Sequence, residues 1–272
     1  MRTGTSLLQS VLCSTEQTNK VIHECQYLGA QMALFASRYQ TFSTLDEAYF
    51  GTAEALAEFT VGIIASFLAL TRRRYKSPKT LVLKTPELTP YFPYLMRLLP
   101  EAKFVVSVRE PKDTIASMIE VGERQRQRGE QSFFHTAGRD MAQFVAHYRS
   151  YYAPLFEHMK GAGTRDKDRV LFVSYERLLT DTENTVAALG KFSGIDLGRF
   201  DRGAAWRSEV HGADGSAADG KGSAWQTGLE GKGMSTAHLG RYSDILTEQE
   251  ILEIDEQSVD ICRAFGYDNP RK

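Results

Sequence analysis

Apolar positions along this chain fall into two kinds of run. Short blocks rich in valine and leucine occur at Thr80-Leu81-Val82-Leu83, Phe104-Val105-Val106-Ser107-Val108 and Val170-Leu171-Phe172-Val173. Each gives way to polar or proline-containing sequence: Lys84-Thr85-Pro86, Arg109-Glu110-Pro111 and Ser174-Tyr175-Glu176. Blocks of this length and composition predict buried strands. The longer stretches between them, 88–99, 113–128 and 137–159, have helical spacing. Strands that alternate with helices predict a parallel sheet joined by crossover helices, an α/β class.

Other elements announce themselves by their ends. Thr3-Gly4-Thr5-Ser6 runs at once into Leu7-Leu8-Gln9-Ser10-Val11-Leu12, which predicts a loop followed by a helix packed on the sheet. Thr44 and Glu47 have capping-box spacing, and the apolar stretch to Leu70 predicts a helical body ending at Arg72-Arg73-Arg74. Asp181 caps a predicted helix running to about Phe192, with Gly194 beyond it. Thr247-Glu248-Gln249-Glu250 opens another that closes near Gly266. Residues 204–233 are crowded with Gly, Ala, Ser and Asp around Trp206 and Trp225, and read as a mobile loop or lid. With no internal repeat, residues 1–272 read as one domain.

Composition narrows the function. Lys plus Arg total 33 and Asp plus Glu 34, a formal net charge of -1, without the basic surplus of a nucleic-acid binder. Cys13, Cys25 and Cys262 match no zinc spacing and read as free, buried thiols. No metal site is expected. The longest apolar run, Phe59 to Leu70, is too short to span a bilayer and reads as a buried helix, so no transmembrane segment is expected. No signal peptide is evident, and a cytoplasmic location is the expectation.

Ligands of open parallel sheets bind beyond the carboxyl ends of the strands. Lys84, Arg109 and Tyr175 all fall there, which suggests a polyanionic, base-containing ligand. Arg2-Thr3-Gly4-Thr5-Ser6 adds the ingredients of an anion cradle: a glycine that admits close backbone approach, hydroxyl donors, and a helix presenting its positive end. It is not a Walker A loop, because that motif's lysine and spacing are absent.

Read together, these segments resemble the PAPS-dependent sulfotransferases, in particular their Golgi-type and bacterial branch. Arg2 to Leu8 resembles that branch's R-[ST]-G-[ST]-[ST]-L-L loop for the 5′-phosphosulfate. Arg109 and Ser117 resemble its 3′-phosphate pair, and Tyr175-Glu176-Arg177-Leu178-Leu179 its strand-end Y-E-x-L-L segment near the adenine. Gly231-Lys232-Gly233 stands where members carry a basic loop over the 3′-phosphate.

The resemblance implies a P-loop-like three-layer sandwich, with a central parallel sheet flanked by helices. It implies transfer of a sulfuryl group from 3′-phosphoadenosine 5′-phosphosulfate (PAPS) to a hydroxyl of a carbohydrate, tyrosine, lipid or small molecule. Arg2, Thr3, Gly4, Thr5, Ser6, Leu7, Arg109, Ser117, Tyr175, Lys232 and Gly233 would hold the donor, and no metal is expected. Lys84 and Arg2 would stabilise charge at the reacting end, with Glu24 as the base and His23 as its rival. Members have a strand immediately before the loop and this sequence has none, so a truncated start, upstream of which a signal or anchor could lie, is the expectation. A nucleotide-dependent kinase and a degenerate, non-catalytic nucleotide-binding or interaction module are the competing readings. Acceptor identity is left open, as is the choice between monomer and homodimer.

Overall fold

The computed structural model of the protein describes residues 2–203, 224–225 and 233–267. Two strands, β1 (Phe104–Val108) and β2 (Val170–Ser174), pair in parallel, Phe104 opposite Val170 and Val108 opposite Ser174. Among the described residues nine longer helices surround them. These are α1 (Thr5–Leu12), α2 (Gln26–Gln40), α3 (Ala53–Arg74), α4 (Phe92–Leu98), α5 (Pro111–Gln127), α6 (Met141–Gly161), α7 (Tyr175–Thr180), α8 (Thr182–Ser193) and α9 (Glu248–Phe265).

Strand alternation divides the core between two faces. Phe104, Val106 and Val108 join Met32 and Phe35 of α2, Tyr148, Tyr152 and Leu155 of α6 and Ile261 of α9. On the other face Val173, with the partly buried Val105 and Leu171, meets Leu7, Leu8 and Val11 of α1, Leu178 of α7 and Leu189 of α8. Helices thus cover both faces of a parallel sheet, the α/β layering expected of strands this apolar. A third cluster seats α5 on α6 and α9 through Ile115, Ile119, Phe144 and Ile254.

Several predicted ends are present. The Thr247–Glu250 capping box is complete, and Gly266 closes α9 at φ 73°. Gly194 closes α8 at φ 76°. Cys13, Cys25 and Cys262 are free and buried.

Five expectations need correction. Thr80–Leu83 is not a strand. Only Thr80 bridges, to Thr18, and the Val82 amide and carbonyl are bonded by the Asn19 side chain, with Oδ1 accepting at 2.6 Å and Nδ2 donating at 2.9 Å. A side chain thus takes over the hydrogen bonding that a neighbouring strand would supply. The capping box at Thr44 does not form, because Gly51 at φ 74° breaks the chain and α3 starts later, capped by the Thr52 hydroxyl. The helix over 137–159 is interrupted at Gly138, and the one over 88–99 begins as a 3-10 turn at Pro86–Tyr91. Finally, the Phe59–Leu70 run is neither short nor buried. It belongs to the 22-residue α3, long and apolar enough by length and composition to cross a membrane, which buries Leu56, Ala57, Thr60 and Ile64 in the core, packs Val61, Phe67 and Leu68 half-buried against it, and leaves the opposite arc exposed.

Candidate functional site

The carboxyl ends of β1 and β2 and the N-terminus of α1 converge. Gly4 precedes α1 in the left-handed region, at φ 77°, and no side chain caps the helix. The first-turn amides of α1 therefore remain free of intrahelical bonds, with the positive end of the helix behind them. The edge atoms Cδ2 and Cε2 of the Tyr175 ring pack against this turn. A Cβ on Gly4 would come within 2.2 Å of Tyr175 Cδ2, so only glycine fits. Thr3 is buried, and its carbonyl accepts a hydrogen bond from the Ser107 hydroxyl on β1.

Arg109 follows β1 and is 8% exposed. Its guanidinium lies 4.9 Å from the Tyr175 ring centroid, donates to the Arg2 carbonyl at 3.3 Å and to the His238 carbonyl at 2.7 Å, and stands 3.6 Å from Asp113. Arg109 Nε is buried and has no hydrogen-bond partner among the described residues. Arg2 Nε donates to Ser117 Oγ at 3.2 Å, while Arg2 Nη1 donates to the Trp225 carbonyl at 3.0 Å. The opening turn therefore touches both members of the Arg109–Ser117 pair, through the backbone of Arg2 on one side and its side chain on the other.

Lys84 and Glu24 occupy the opposite flank of the same turn. Lys84 Nζ donates to Glu24 Oε1 at 2.8 Å and to Ser6 Oγ at 3.2 Å. The Lys84 side chain is 15% exposed and that of Glu24 37%, so the pair is sheltered but reachable. His23 points to solvent, and no contact of its side chain with Lys84 or Ser6 accompanies it. Asn19 holds the approach to Lys84 through Val82, and the Cys25 amide donates to the Lys84 carbonyl at 3.0 Å. Lys232 lies outside the described residues. Gly233 is described, and a Cβ placed on it would meet the backbone of Arg202 and Gly203 rather than Arg109.

Three contributors were given no role by the sequence reading. Asn19 is one. Asp113 is another: its carboxylate accepts from the Gly240 amide at 2.8 Å and the Tyr242 amide at 3.1 Å, drawing the His238–Tyr242 segment over Arg109. Its place four residues after Arg109 was the available hint. Glu176 is the third, accepting from the Glu110 amide, the Ser174 hydroxyl and the Tyr267 hydroxyl, and so tying the ends of β1 and β2 together.

Burial shapes the charges nearby. Desolvation raises the Glu110 carboxyl to about 7, against the pull of the Asp113 amide and Lys112. Lys112 in turn bonds Asp255 at 2.8 Å. Burial also raises the Tyr175 phenol, with Arg109 opposing, and lowers His238, helped by Arg241 and Arg109. Among the described residues no group of three or more His, Cys, Asp or Glu side chains could hold a metal ion.

This is an α/β protein with an uncapped helix N-terminus beyond the ends of parallel strands, a lysine and a carboxylate beside it. The chain matches the model described as "Sulfotransferase family" over residues 1–199 and belongs to that family. Its function lies in sulfuryl transfer. The fold is shared with a solved structure, the sulfotransferase domain from the Synechococcus PCC 7002 olefin synthase. That likeness has a TM-score of 0.56 and 19% identity, over 99% of this chain and 92% of that one. No curated protein matches the chain.

Proposed function

We propose that this protein transfers the sulfuryl group of PAPS to the hydroxyl of an acceptor, with Glu24 as the base and Lys84 as the cation at the reacting oxygen. The observation that carries this reading is the triangle of Lys84, Glu24 and Ser6 at the mouth of the α1 cradle. It joins an acid–base group and a cation to an anion site, and an anion-binding module would need only the last.

The residues present suit the donor. The α1 turn would take the 5′ end, Arg109 and Ser117 the 3′-phosphate, and Tyr175 the base. The buried, unpartnered Arg109 Nε is a donor held ready for an anion. In the reaction the acceptor oxygen would attack sulfur, a new S–O bond forming as the bond from sulfur to the bridging phosphate oxygen breaks. Glu24 would receive the acceptor proton. Lys84, released from Glu24 as that carboxylate turns to the acceptor, would neutralise charge on the departing oxygen, and Arg2 would steady the same end. The leaving product is 3′-phosphoadenosine 5′-phosphate (PAP).

Thermal-shift titration tests the donor and mass spectrometry with PAPS and a panel of hydroxyl acceptors tests the transfer. The expected result is stabilisation by PAP well beyond that by ATP, and a sulfonated acceptor. Equal stabilisation by ATP would favour a kinase. No stabilisation by either would favour a module without catalysis.

A further inference from the structure

Among the described residues, nine large hydrophobic side chains are exposed, and six of them, Tyr27, Leu34, Leu45, Tyr49, Phe59 and Leu70, lie on α2, α3 and the segment joining them. A concentration of this kind on one side of a molecule marks a surface that is normally covered. On α3 the uncovered arc has a definite order. Glu54 and Glu58 are exposed at its start, Gly62, Ala65, Ser66 and Ala69 form its middle, and Arg72, Arg73 and Arg74 are exposed at its end. No acidic residue occurs between Glu58 and Glu87.

An anionic lipid surface would suit the arginines. It does not suit the rest, because membrane insertion calls for bulky side chains along the outward face, and the centre of this one is small and its first turn acidic. A helix that is negative at one end, positive at the other and smooth between is complementary to itself when reversed. We propose that α3 docks antiparallel on α3 of a second copy of this chain, across a twofold axis that passes between Ala65 and Ser66.

That register sets Glu58 opposite Arg73 of the partner subunit, Gly62 opposite Ala69 and Ala65 opposite Ser66, each pair formed twice by symmetry. All of these positions lie on the exposed arc. The small residues at the centre let the two backbones approach closely. Beside α3 and facing α2 lies a cavity of about 220 Å³ lined by Leu34, Phe35, Phe50, Phe59, Thr60 and Ile63 among others. A twofold normal to the helix keeps side chains on the same flank, so Leu70, 60% exposed, is carried to the level of Val61 in the other copy. There it stands between Phe59 and Ile63, at the mouth of the cavity. Charge order, shape and the exposed leucine meet in a single arrangement.

Sedimentation velocity of the full chain at about 50 μM protomer is the test. A dimer is expected, and Ala65→Glu should weaken self-association at least tenfold while far-UV circular dichroism and sulfuryl transfer stay unchanged. Glu58→Arg and Arg73→Glu should each dissociate it, and the double variant should restore it. Ala65→Cys, next to the axis, should form a disulfide-linked dimer on mild oxidation. The proposal is overturned by a monomeric wild type, by a dimer that survives Ala65→Glu, or by a double variant no better than its parents. Binding of a monomer to vesicles containing anionic lipid would assign the face to a membrane instead.

Discussion

The two flanks of the α1 turn are built differently. On the Arg109 side every group is anchored: Arg109 is buried under the His238 carbonyl, Asp113 clamps the overlying segment, Glu176 joins the strand ends and Tyr175 fills the space against Gly4. On the Lys84 side the chain has no strand ladder beneath it and is held by scattered bonds, from the Thr80 bridge, the Asn19 side chain and the Cys25 amide, and the Glu24 carboxylate is about a third exposed. In the proposed reaction a rigid flank suits the holding of a large donor, whereas an open one leaves room for an acceptor and for a carboxylate that would change partners during a turnover. The proposed function thereby assigns binding and chemistry to separate supports.

The sharpest way to test that separation is to disable the open flank. Glu24→Gln and Lys84→Met should each lower kcat by about 10²- to 10⁴-fold in steady-state assays, while the thermal shift given by PAP stays within about twofold of wild type. Equal loss of both would merge the two flanks into one binding site. Next in size is Gly4→Val, which strains a left-handed turn and drives a side chain into Tyr175. Chemical denaturation should show a loss of about 1–3 kcal/mol from the backbone alone, and calorimetric binding of PAP should disappear.

Asn19→Ala is predicted to cost about 1–3 kcal/mol, because it strands the Val82 amide and carbonyl. It should lower kcat and leave PAP affinity nearly intact, the reverse of Gly4→Val. The smallest effect concerns pH. His147 stacks on Phe133 at 4.3 Å and lies 5.2 Å from Tyr151, whose phenol senses Glu87 and Glu24, so it stands behind the open flank. Burial lowers His147 from 6.5 to about 4, so the folded state disfavours its proton. The stability this neutral ring supports is complete above pH 6.5 and drains away as pH falls towards 4. His147→Phe should narrow the Tm difference between pH 7.5 and pH 5 by about 2–4 °C in a thermal melt.

Much of this was readable before any coordinates, where the cause is local. The glycine turn before α1, the strands at 104–108 and 170–174, the Gly194 stop of α8 and both caps of α9 depend on neighbours a few residues away, whereas the Asp181 carboxylate bonds the Asn184 side chain and caps no amide of α8. Thr80–Leu83 has the composition of a strand but is held by Asn19, 63 positions distant, and no periodicity reports a partner of that kind. The start of α3 was misplaced because Gly51 outweighs the Thr44–Glu47 spacing. The exposure of α3 was invisible for a deeper reason: an apolar run reveals that a surface seeks cover, and only the packed molecule shows whether its own chain provides it. Within the site, the Arg109 and Ser117 spacing pointed to a single locality, whereas the roles of Asp113 and Glu176 depend on the chain returning from beyond residue 238 and at Tyr267.

The ring of Tyr175, wedged between the Gly4 turn and the Arg109 guanidinium, has a spectroscopic consequence. Its circulating electrons must displace the proton resonances of Gly4, and any ligand or substitution that tilts the ring will move those signals. The molecule therefore carries its own label at the junction of the α1 turn and the end of β1. A single glycine cross-peak could follow donor entry and product escape in real time, without a probe attached.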